Sequence, residues 1–429
     1  MKKRIMFVGM DVHQKSIDIT TAVYSHDGKV VHFGCIDGGL KALDKAVDKL
    51  SASGAELHIV YEAGPCGYVI YRHLQQRGVH CTVVSPASVP KKASDRVKTD
   101  RRDARTLAVQ HRAGALRAIS VPEVEDEAIR DLVRGREDAV HNRRRARQRL
   151  NSFMVRHGRC YAGKKKWSLV HRRWLAAQSF DHAAQRITLE EYIGAIAEAE
   201  QRVERISDQI QALIVPWRLR PHVDALQALR GVSGVVAVTV VAEVGDLSRF
   251  TPRRLMAFLG LVPSEYSSGE RRRQGAITKT GNAHVRRVLC EAAWAYVHQP
   301  AISARLLKRQ EELPKAIRDI AWKAQLRLCK RFTHLSTQRK HRNKIVTAIA
   351  RELVGFMWNI ARCVVQQTTQ PQQHKEAQLS PTKVPDTITL RRRPRPQPRP
   401  AKAAKRRLQT RAPVAVGLST AGPSARLGA

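Results

Sequence analysis

Short apolar runs separated by polar turns dominate the first 90 residues and predict a layer of strands and helices. Strands are predicted at residues 5–10, 17–23, 29–33, 57–61 and 80–84, and helices at 39–50 and 66–76. The dipeptide Asp27-Gly28 predicts a hairpin turn at 25–28, because such turns need positive φ angles. Three successive strands followed by two helix-linked strands predict an α/β domain with a mixed sheet.

Helical periodicity replaces this pattern further along the chain. A first helix is predicted at residues 124–157, and its apolar seam is interrupted by Arg136 and Arg143. A purely structural coiled coil rarely places arginine in its seam, so this pattern indicates a helix that faces a polyanion. The stretch from 225 to 365 is predicted to be almost wholly helical.

A second helix has the features of a coiled-coil arm. Thr188 and Glu191 have the spacing of a capping box, which predicts the start of this helix, and Pro216 ends it. Apolar residues then alternate spacings of three and four: Leu189, Tyr192, Ile196, Ala199, Val203, Ile206, Ile210 and Leu213. This stripe allows either an internal hairpin with the preceding helix or a seam between two subunits.

Charge changes the picture, because 77 Lys and Arg against 37 Asp and Glu give a formal charge of +40. Such an excess predicts a polyanionic partner, and nucleic acid is the leading candidate. Residues 134–173 carry 14 Lys and Arg against two acids. Residues 366–429 carry 13 against two, with nine prolines, and this composition predicts a disordered tail.

Composition also limits the protein class. Seven scattered cysteines without a CxxC pair favour reduced thiols and give no zinc site. Such thiols are typical of a cytoplasmic protein, which we expect to be nucleoid-associated. No apolar run approaches the ~18–20 residues of a membrane span, so no membrane contact is expected. The predicted units are an α/β domain at 1–118, a basic helical arm at 119–217, a helical domain at 218–365 and the tail at 366–429.

Acidic residues close two predicted strands and open a predicted helix. Asp11 ends the first strand, Glu62 ends the fourth, and Asp100 and Asp103 share one helix face. If the first and fourth strands are neighbours, the carboxylates converge and need cations among them; Mg²⁺ is the oxygen-preferring choice. Two such ions can stabilise the attacking and leaving oxygens of phosphoryl transfer. Each acid alone is more typical of a turn, a cap or a helix-dipole contact, and only the four together favour a metal site.

Two loops and one helix carry residues suited to nucleic-acid contacts. Gly231 and Gly234 have the spacing of a helix-hairpin-helix turn, although an ordinary helix connection fits them as well. The predicted contacts are Arg143, Arg144, Arg145, Arg147, Gly231, Gly234, Arg271, Arg272, Arg273 and Lys279.

A serine pair precedes the three consecutive arginines. Ser267, Ser268 and Gly269 form a short loop sequence just before Arg271. Serine needs a base, a metal or an electrostatic partner to act as a nucleophile, and arginines can stabilise charge on an attacked phosphate. The residues alone favour a phosphate-contact loop over a nucleophile.

Several motifs together resemble one transposase family. The acids lie in Val8-Gly-Met-Asp11-Val-His, Tyr61-Glu62-Ala-Gly-Pro and Lys98-Thr-Asp100-Arg-Arg-Asp103-Ala-Arg. These motifs resemble the DEDD signature of the IS one-ten family of insertion-sequence transposases, which includes relatives similar to the Piv invertase. The resemblance implies a RuvC-like, RNase H-like domain in which Asp11, Glu62, Asp100 and Asp103 bind Mg²⁺.

The carboxy-terminal part resembles the same family. Gly260-Leu-Val-Pro263, the Ser-Ser-Gly loop and Gly281-Asn282 are similar to its carboxy-terminal transposase domain. This resemblance implies Ser268 as a covalent nucleophile, with Ser267 as the near alternative. The implied architecture is an α/β RNase H-like domain, a coiled-coil arm, an all-α transposase domain and a disordered basic tail.

The resemblance also implies a function. It is that of a DNA recombinase that mobilises its own insertion sequence, cutting and rejoining donor and target DNA through a phosphoserine intermediate. It further implies a structured non-coding guide RNA and a homo-oligomer, a dimer or tetramer with composite sites. Two alternatives stay open: a structure-specific nuclease in which water attacks, and a non-catalytic nucleic-acid-binding protein.

Overall fold

The structure, a computed structural model, describes residues 4–23, 28–90 and 99–378, with side chains described up to residue 366. The start of the predicted hairpin turn, Lys98 and most of the predicted tail lie outside the described residues.

Five strands form one mixed sheet, as the sequence predicted. They are β1 (Ile5–Val12), β2 (Ser16–Val23), β3 (Val30–Asp37), β4 (Glu56–Glu62) and β5 (His80–Val84). Their order across the sheet is β3-β2-β1-β4-β5, with β1 antiparallel to β2 and parallel to β4. The first and fourth strands are therefore neighbours, which is the condition for Asp11 and Glu62 to converge.

Helices cover both faces of this sheet. They are α1 (Leu40–Ser51), α2 (Val69–Gln76) and α3 (Asp100–Arg112). The first two pack on the face that carries Met10 and Tyr61. The predicted helix at 66–76 becomes helical only from Val69, because the chain turns at Gly67 with a φ of 62°.

The opposite face is covered by α3, which lies very close to β1. A Cβ atom at Gly9 would come within 3.0 Å of the Ala104 oxygen and the Ala108 nitrogen, so only glycine allows this approach. The ring of Phe7 contacts a histidine ring of α3 edge-on, with 5.3 Å between ring centroids. Because strand side chains alternate between faces, Asp11 lies on the same face as Gly9.

A helical arm follows the α/β domain. It consists of α4 (Val124–Arg156), α5 (Leu169–Ala176) and α6 (Ala183–Leu213). The predicted start of α6 is wrong: the His182 ring accepts a hydrogen bond from the Ala184 amide at 3.2 Å and caps the helix. Thr188 lies inside α6, where its hydroxyl donates to the Ala184 carbonyl at 2.7 Å. The capping-box spacing failed because a threonine inside a helix can satisfy its hydroxyl on the preceding turn.

Most of the apolar stripe of α6 is buried or half-buried against α4 of the same chain, whereas Leu213 at its end is exposed. Leu189 of α6 packs with Leu150 and Phe153 of α4, whereas Ile210, near the other end of α6, packs with Ile129. The two helices are therefore antiparallel. Of the two arrangements that the sequence allowed, the internal hairpin is confirmed.

The helix α4 is joined to the parts of the chain on both sides of the arm. Near its start, Glu127 pairs with Arg72 of α2. Further along, Arg134 donates to both carboxylate oxygens of Glu243 at 2.7 and 2.8 Å. Glu243 has a side chain that is only 1% exposed, so this pair is anchored in the protein interior at its acidic end.

The remaining part of the chain is mainly helical, as predicted. Its helices are α7 (Arg220–Leu226), α8 (Gly234–Val244), α9 (Pro252–Phe258), α10 (Ala283–Ala293), α11 (Ala304–Gln310), α12 (Lys315–Thr337) and α13 (Arg342–Gln378). All of them except α11 contribute to one apolar core, in which Val241 of α8 and Tyr296 are fully buried. The predicted start of α9 is confirmed, because the Thr251 side chain accepts a hydrogen bond from Arg254 and Pro252 opens the helix.

The expectation of an all-α domain is wrong at one place. Two short antiparallel strands, β6 (Pro263–Glu265) and β7 (Gln274–Ile277), form a hairpin that carries the serine pair. Serine and glycine hydrogen-bond or turn locally rather than extending a helix, so this stretch has no helical continuity.

The last helix continues beyond residue 365, where the sequence predicted the tail to begin. The structure describes it as far as Gln378, and this extension fits helix propagation, in which each added residue gains one hydrogen bond without a new nucleation cost. Among the helices that the structure describes, none is both long and apolar enough to cross a membrane.

Candidate active site

Two neighbouring parallel strands place Asp11 and Glu62 at one edge of the sheet. The last paired residues of β1 and β4 are Met10 and Tyr61, and the two acids follow them directly. Both acidic residues are half-buried. Met10 and Tyr61 belong to the opposite apolar core, so alternation directs both carboxylates to the α3 face.

The helix α3 brings two further acids to this edge. Thr99 caps it, accepting a hydrogen bond from the Arg102 amide at 3.4 Å. Asp100 and Asp103 occupy the first turn and lie on one side of the helix; Asp100 is exposed and Asp103 half-buried. The four acids predicted from the sequence thus lie at one end of the sheet, on one face.

His13 joins this group, and the sequence interpretation gave it no role. Its Nε2 lies 3.4 Å from an Asp11 oxygen and 3.5 Å from an Asp100 oxygen. The signal was available in the sequence, since Asp11 and His13 are two residues apart at a strand end and such residues share a face. We refer to Asp11, His13, Glu62, Asp100 and Asp103 as the acidic edge.

The Asp11 carboxyl carries the electrostatic effect of this crowding. Burial raises its pKa above the ordinary value, and the charges of Asp100 and Asp103 raise the pKa further, whereas His13 opposes them. A divalent cation would relieve this repulsion. The ligand atoms of Asp11, His13 and Asp100 lie within 4.8 Å of one another, so the donor set at this end fits such a cation.

The serine pair lies at the tip of the β6–β7 hairpin. Ser268 and Arg271 exchange backbone hydrogen bonds of 3.2 and 3.1 Å, and Gly269 closes the turn between them with a φ of 55°. A further bond of 2.9 Å from the Tyr266 amide to the Arg273 carbonyl continues the hairpin. Every residue from 265 to 276 is exposed, so the tip is accessible from solvent.

The two serines differ in their side-chain bonding. Ser267 Oγ donates to Glu265 Oε1 at 2.9 Å and accepts from the Arg273 amide at 3.3 Å, so it closes the hairpin internally. Hydrogen bonds from Gln274 and Ser267 lower the pKa of Glu265, which makes this carboxylate a weak base. Ser268 Oγ has no hydrogen-bond partner among the described residues.

The basic residues around this hairpin are open to solvent. Arg271, Arg272 and Arg273 are exposed, and Arg272 lies 3.3 Å from Glu265. Lys279 adopts a positive φ of 55° just beyond β7, where its amide bonds the Gly260 carbonyl at 3.2 Å. These side chains can therefore meet an anion beside the serine pair.

The arginines of α4 divide into two groups. Arg144 and Arg145 are exposed, whereas Arg143 is half-buried and its pKa is lowered by burial and by Arg147. Arg147 pairs with Glu200 of α6 at 2.5 Å. Arg136 donates to a serine hydroxyl of α6 at 2.7 Å, so this seam arginine is an internal contact rather than a contact to a polyanion.

Of the two glycines of the predicted phosphate turn, Gly231 lies between α7 and α8 and Gly234 begins α8. Gly231 has a φ of 81°, and a Cβ atom there would overlap the Ala292 carbonyl of α10. This close approach accounts for Gly231 through packing alone. Gly234 is half-buried and is the first residue of α8.

Two family models match two separate parts of the chain. A DEDD transposase model of the IS110 type, described as a transposase, matches residues 8–158. A second model, described as the transposase IS116/IS110/IS902 family, matches residues 223–307. The matched ranges contain the acidic edge and the serine hairpin, respectively.

Two relatives match nearly their whole length. A putative transposase y4qE of Sinorhizobium fredii is 44% identical over 367 residues, covering 85% of this chain and 91% of the relative. The transposase for insertion sequence element IS1533 of Leptospira borgpetersenii is 30% identical over 342 residues, covering 79% and 99%. The chain therefore belongs to the IS110 family of insertion-sequence transposases, the IS one-ten family of the motif resemblance, and is an enzyme that acts on DNA strands.

Proposed function

We propose that this transposase cuts and rejoins DNA through a phosphoserine intermediate formed on Ser268, with Asp11, Glu62, Asp100 and Asp103 holding Mg²⁺. The observation that carries the proposal is the convergence of these four acids on one face of the sheet edge. A bound divalent cation would supply charge stabilisation and activation of the attacking oxygen. The RNase H-like character of the α/β domain belongs to the same proposal, supported by its mixed five-stranded sheet.

Cutting and rejoining through Ser268 needs no nucleotide cofactor, because each step breaks one phosphorus–oxygen bond and forms another. The Oγ of Ser268 attacks a backbone phosphorus, so an Oγ–P bond forms while one P–O bond of the strand breaks. The serine proton passes to the departing strand oxygen, which becomes a hydroxyl. Attack by another strand's hydroxyl on the phosphoserine then reverses these changes, restores the serine and joins the strands.

The side chains around the hairpin support this role for Ser268. Arg271 and Arg273 are exposed and can stabilise charge on the attacked phosphate. Ser267 is the weaker candidate, because its hydroxyl already bonds Glu265 and the Arg273 amide. A nucleophile needs a free oxygen, and Ser268 offers one.

The exposed arginine and lysine side chains support nucleic acids as partners. We propose donor and target DNA as substrates and a structured non-coding RNA as the guide, with Arg144, Arg145 and Lys279 contacting backbones. Base pairing would then supply sequence choice, while the protein recognises phosphates. A dimer or tetramer that pairs the acidic edge of one subunit with the serine hairpin of another completes the proposal; the buried stripe of α6 is not available for that assembly.

A cleavage assay on labelled donor DNA with Mg²⁺ and the element's own non-coding RNA tests the proposal. Ser268→Ala should lose cleavage by about 10³-fold or more and form no covalent protein–DNA adduct on a denaturing gel. Ser267→Ala is the matched control and should stay within about tenfold of the unmodified enzyme, since only a hairpin contact is lost. Cleavage retained by Ser268→Ala would instead favour a nuclease in which water attacks.

A further inference from the structure

We infer that His13 supplies a nitrogen ligand to the cation held at the Asp11–Asp100 end of the acidic edge, which rests on the metal site proposed above. The imidazole Nε2 lies 3.4 Å from Asp11 and 3.5 Å from Asp100. The imidazole nitrogen thus faces both carboxylates that are proposed to bind the cation.

The separations between His13 Nε2 and the Asp11 and Asp100 oxygens are close to those between ligand atoms in one coordination sphere. An octahedral ion with bonds of about 2.1 Å holds neighbouring ligand atoms about 3 Å apart. The His13 spacings of 3.4 and 3.5 Å need to shrink by only about half an ångström, and the ligand atoms of Asp11 and Asp100 lie within 4.8 Å of each other. Side-chain torsion alone provides such a movement, so the strand and helix need not shift.

The backbone fixes the origin of this side chain. The His13 amide donates to the Ser16 carbonyl at 2.9 Å and closes the turn between β1 and β2. His13 lies two positions after Asp11, with only Val12 between them, so both side chains leave the chain on the same face. The His13 side chain is 52% exposed, which leaves its Nε2 accessible to an ion from solvent.

A nitrogen ligand changes which metals the site prefers. Carboxylates suit Mg²⁺, whereas imidazole suits transition metals. A set of Asp11, Asp100 and His13 is therefore expected to bind Mn²⁺ more tightly than Mg²⁺. Removing His13 should reduce this preference while leaving the carboxylate ligands in place.

The test measures Mn²⁺ binding to the full-length protein by equilibrium titration and examines the bound ion by pulsed electron paramagnetic resonance. The bound Mn²⁺ should show a histidine nitrogen coupling that changes when the protein carries ¹⁵N-histidine. The variant His13→Gln should lose this coupling and bind Mn²⁺ about tenfold more weakly. The control His298→Gln, at an exposed histidine of the helical domain, should change neither quantity.

The outcomes separate this inference from the proposal beneath it. Mn²⁺ binding that depends on Asp11 but shows no histidine nitrogen coupling overturns the role of His13 and leaves the carboxylate site standing. Mn²⁺ binding that Asp11→Asn does not weaken overturns the metal site itself. Unchanged far-ultraviolet circular dichroism of His13→Gln establishes that any lost affinity is not unfolding.

Discussion

Replacing Gly9 by alanine tests whether the close packing of α3 on β1 sets the geometry of the acidic edge. The added Cβ would lie within 3.0 Å of the Ala104 oxygen and the Ala108 nitrogen. Both are backbone atoms, so no change of rotamer relieves the overlap. Because ordinary van der Waals contact begins at 3.4 Å, α3 has to move outward by roughly 1 Å.

This movement would displace two of the proposed metal ligands, since Asp100 and Asp103 lie in the first turn of the same helix. A misplacement of about 1 Å costs on the order of 10²-fold in rate when it separates groups that must act together. The overpacking itself should lower the free energy of unfolding by about 1–3 kcal/mol. We therefore expect Gly9→Ala to fold, to bind Mn²⁺ more weakly and to cleave DNA about a hundredfold more slowly.

The assay combines urea unfolding, Mn²⁺ titration and donor-strand cleavage at saturating metal. The matched control is Gly135→Ala in α4, where an added Cβ meets no atom within 4 Å. It should raise the free energy of unfolding by up to about 1 kcal/mol and leave cleavage unchanged. A Gly9→Ala protein with unaltered cleavage and Mn²⁺ affinity would refute the link between this packing and the acidic edge.

Three further substitutions probe other features. Because the pKa of Asp11 is raised in the folded protein, ionisation of this carboxyl destabilises the fold, and the loss of stability develops as the pH rises above the ordinary value of 3.8. Without added metal, Asp11→Asn should therefore raise the Tm at pH 7. Calorimetry should show that this gain shrinks towards pH 4. Glu243→Ala leaves the partly exposed Arg134 without its carboxylate partner and should lower the free energy of unfolding in urea by about 1–3 kcal/mol. The control Glu291→Ala removes a more exposed ion pair and should change that free energy by no more than about 0.5 kcal/mol. Thr188→Ala should be neutral or slightly stabilising, by about 0.5 kcal/mol at most, and a loss near 1 kcal/mol would restore Thr188 as a helix cap.

Strand and helix identity in the α/β domain followed from the sequence because its periodicities are strong. The pairing of β1 with β4 could not be predicted from the sequence, since sheet order depends on contacts between segments about 50 residues apart. Once that pairing is known, Asp11 and Glu62 fall into place through alternation alone. The sequence spacing placed His13 near Asp11, but its approach to Asp100 could not be predicted, because that contact forms only when α3 packs on the sheet.

The arm and the hairpin illustrate two other limits. The stripe of α6 was visible as a period, but a period does not name its partner, and packing on α4 decided the matter. The serine loop looked irregular within a helical domain, and its pairing with residues 274–277 depends on turn geometry at Gly269. Arginine counts likewise did not distinguish the exposed Arg144 from Arg147, which is paired with an acid on another helix.

The length of α4 has a mechanical consequence. Its 33 residues span about 50 Å, and its ion pairs to the sheet domain and to α8 lie in its first half. A tilt of about 5° around those pairs would move the far end by roughly 3 Å. Because Glu127 and Arg134 join α4 to α2 and to α8, a movement of the far end of α4 would be transmitted to both the sheet domain and the helical domain.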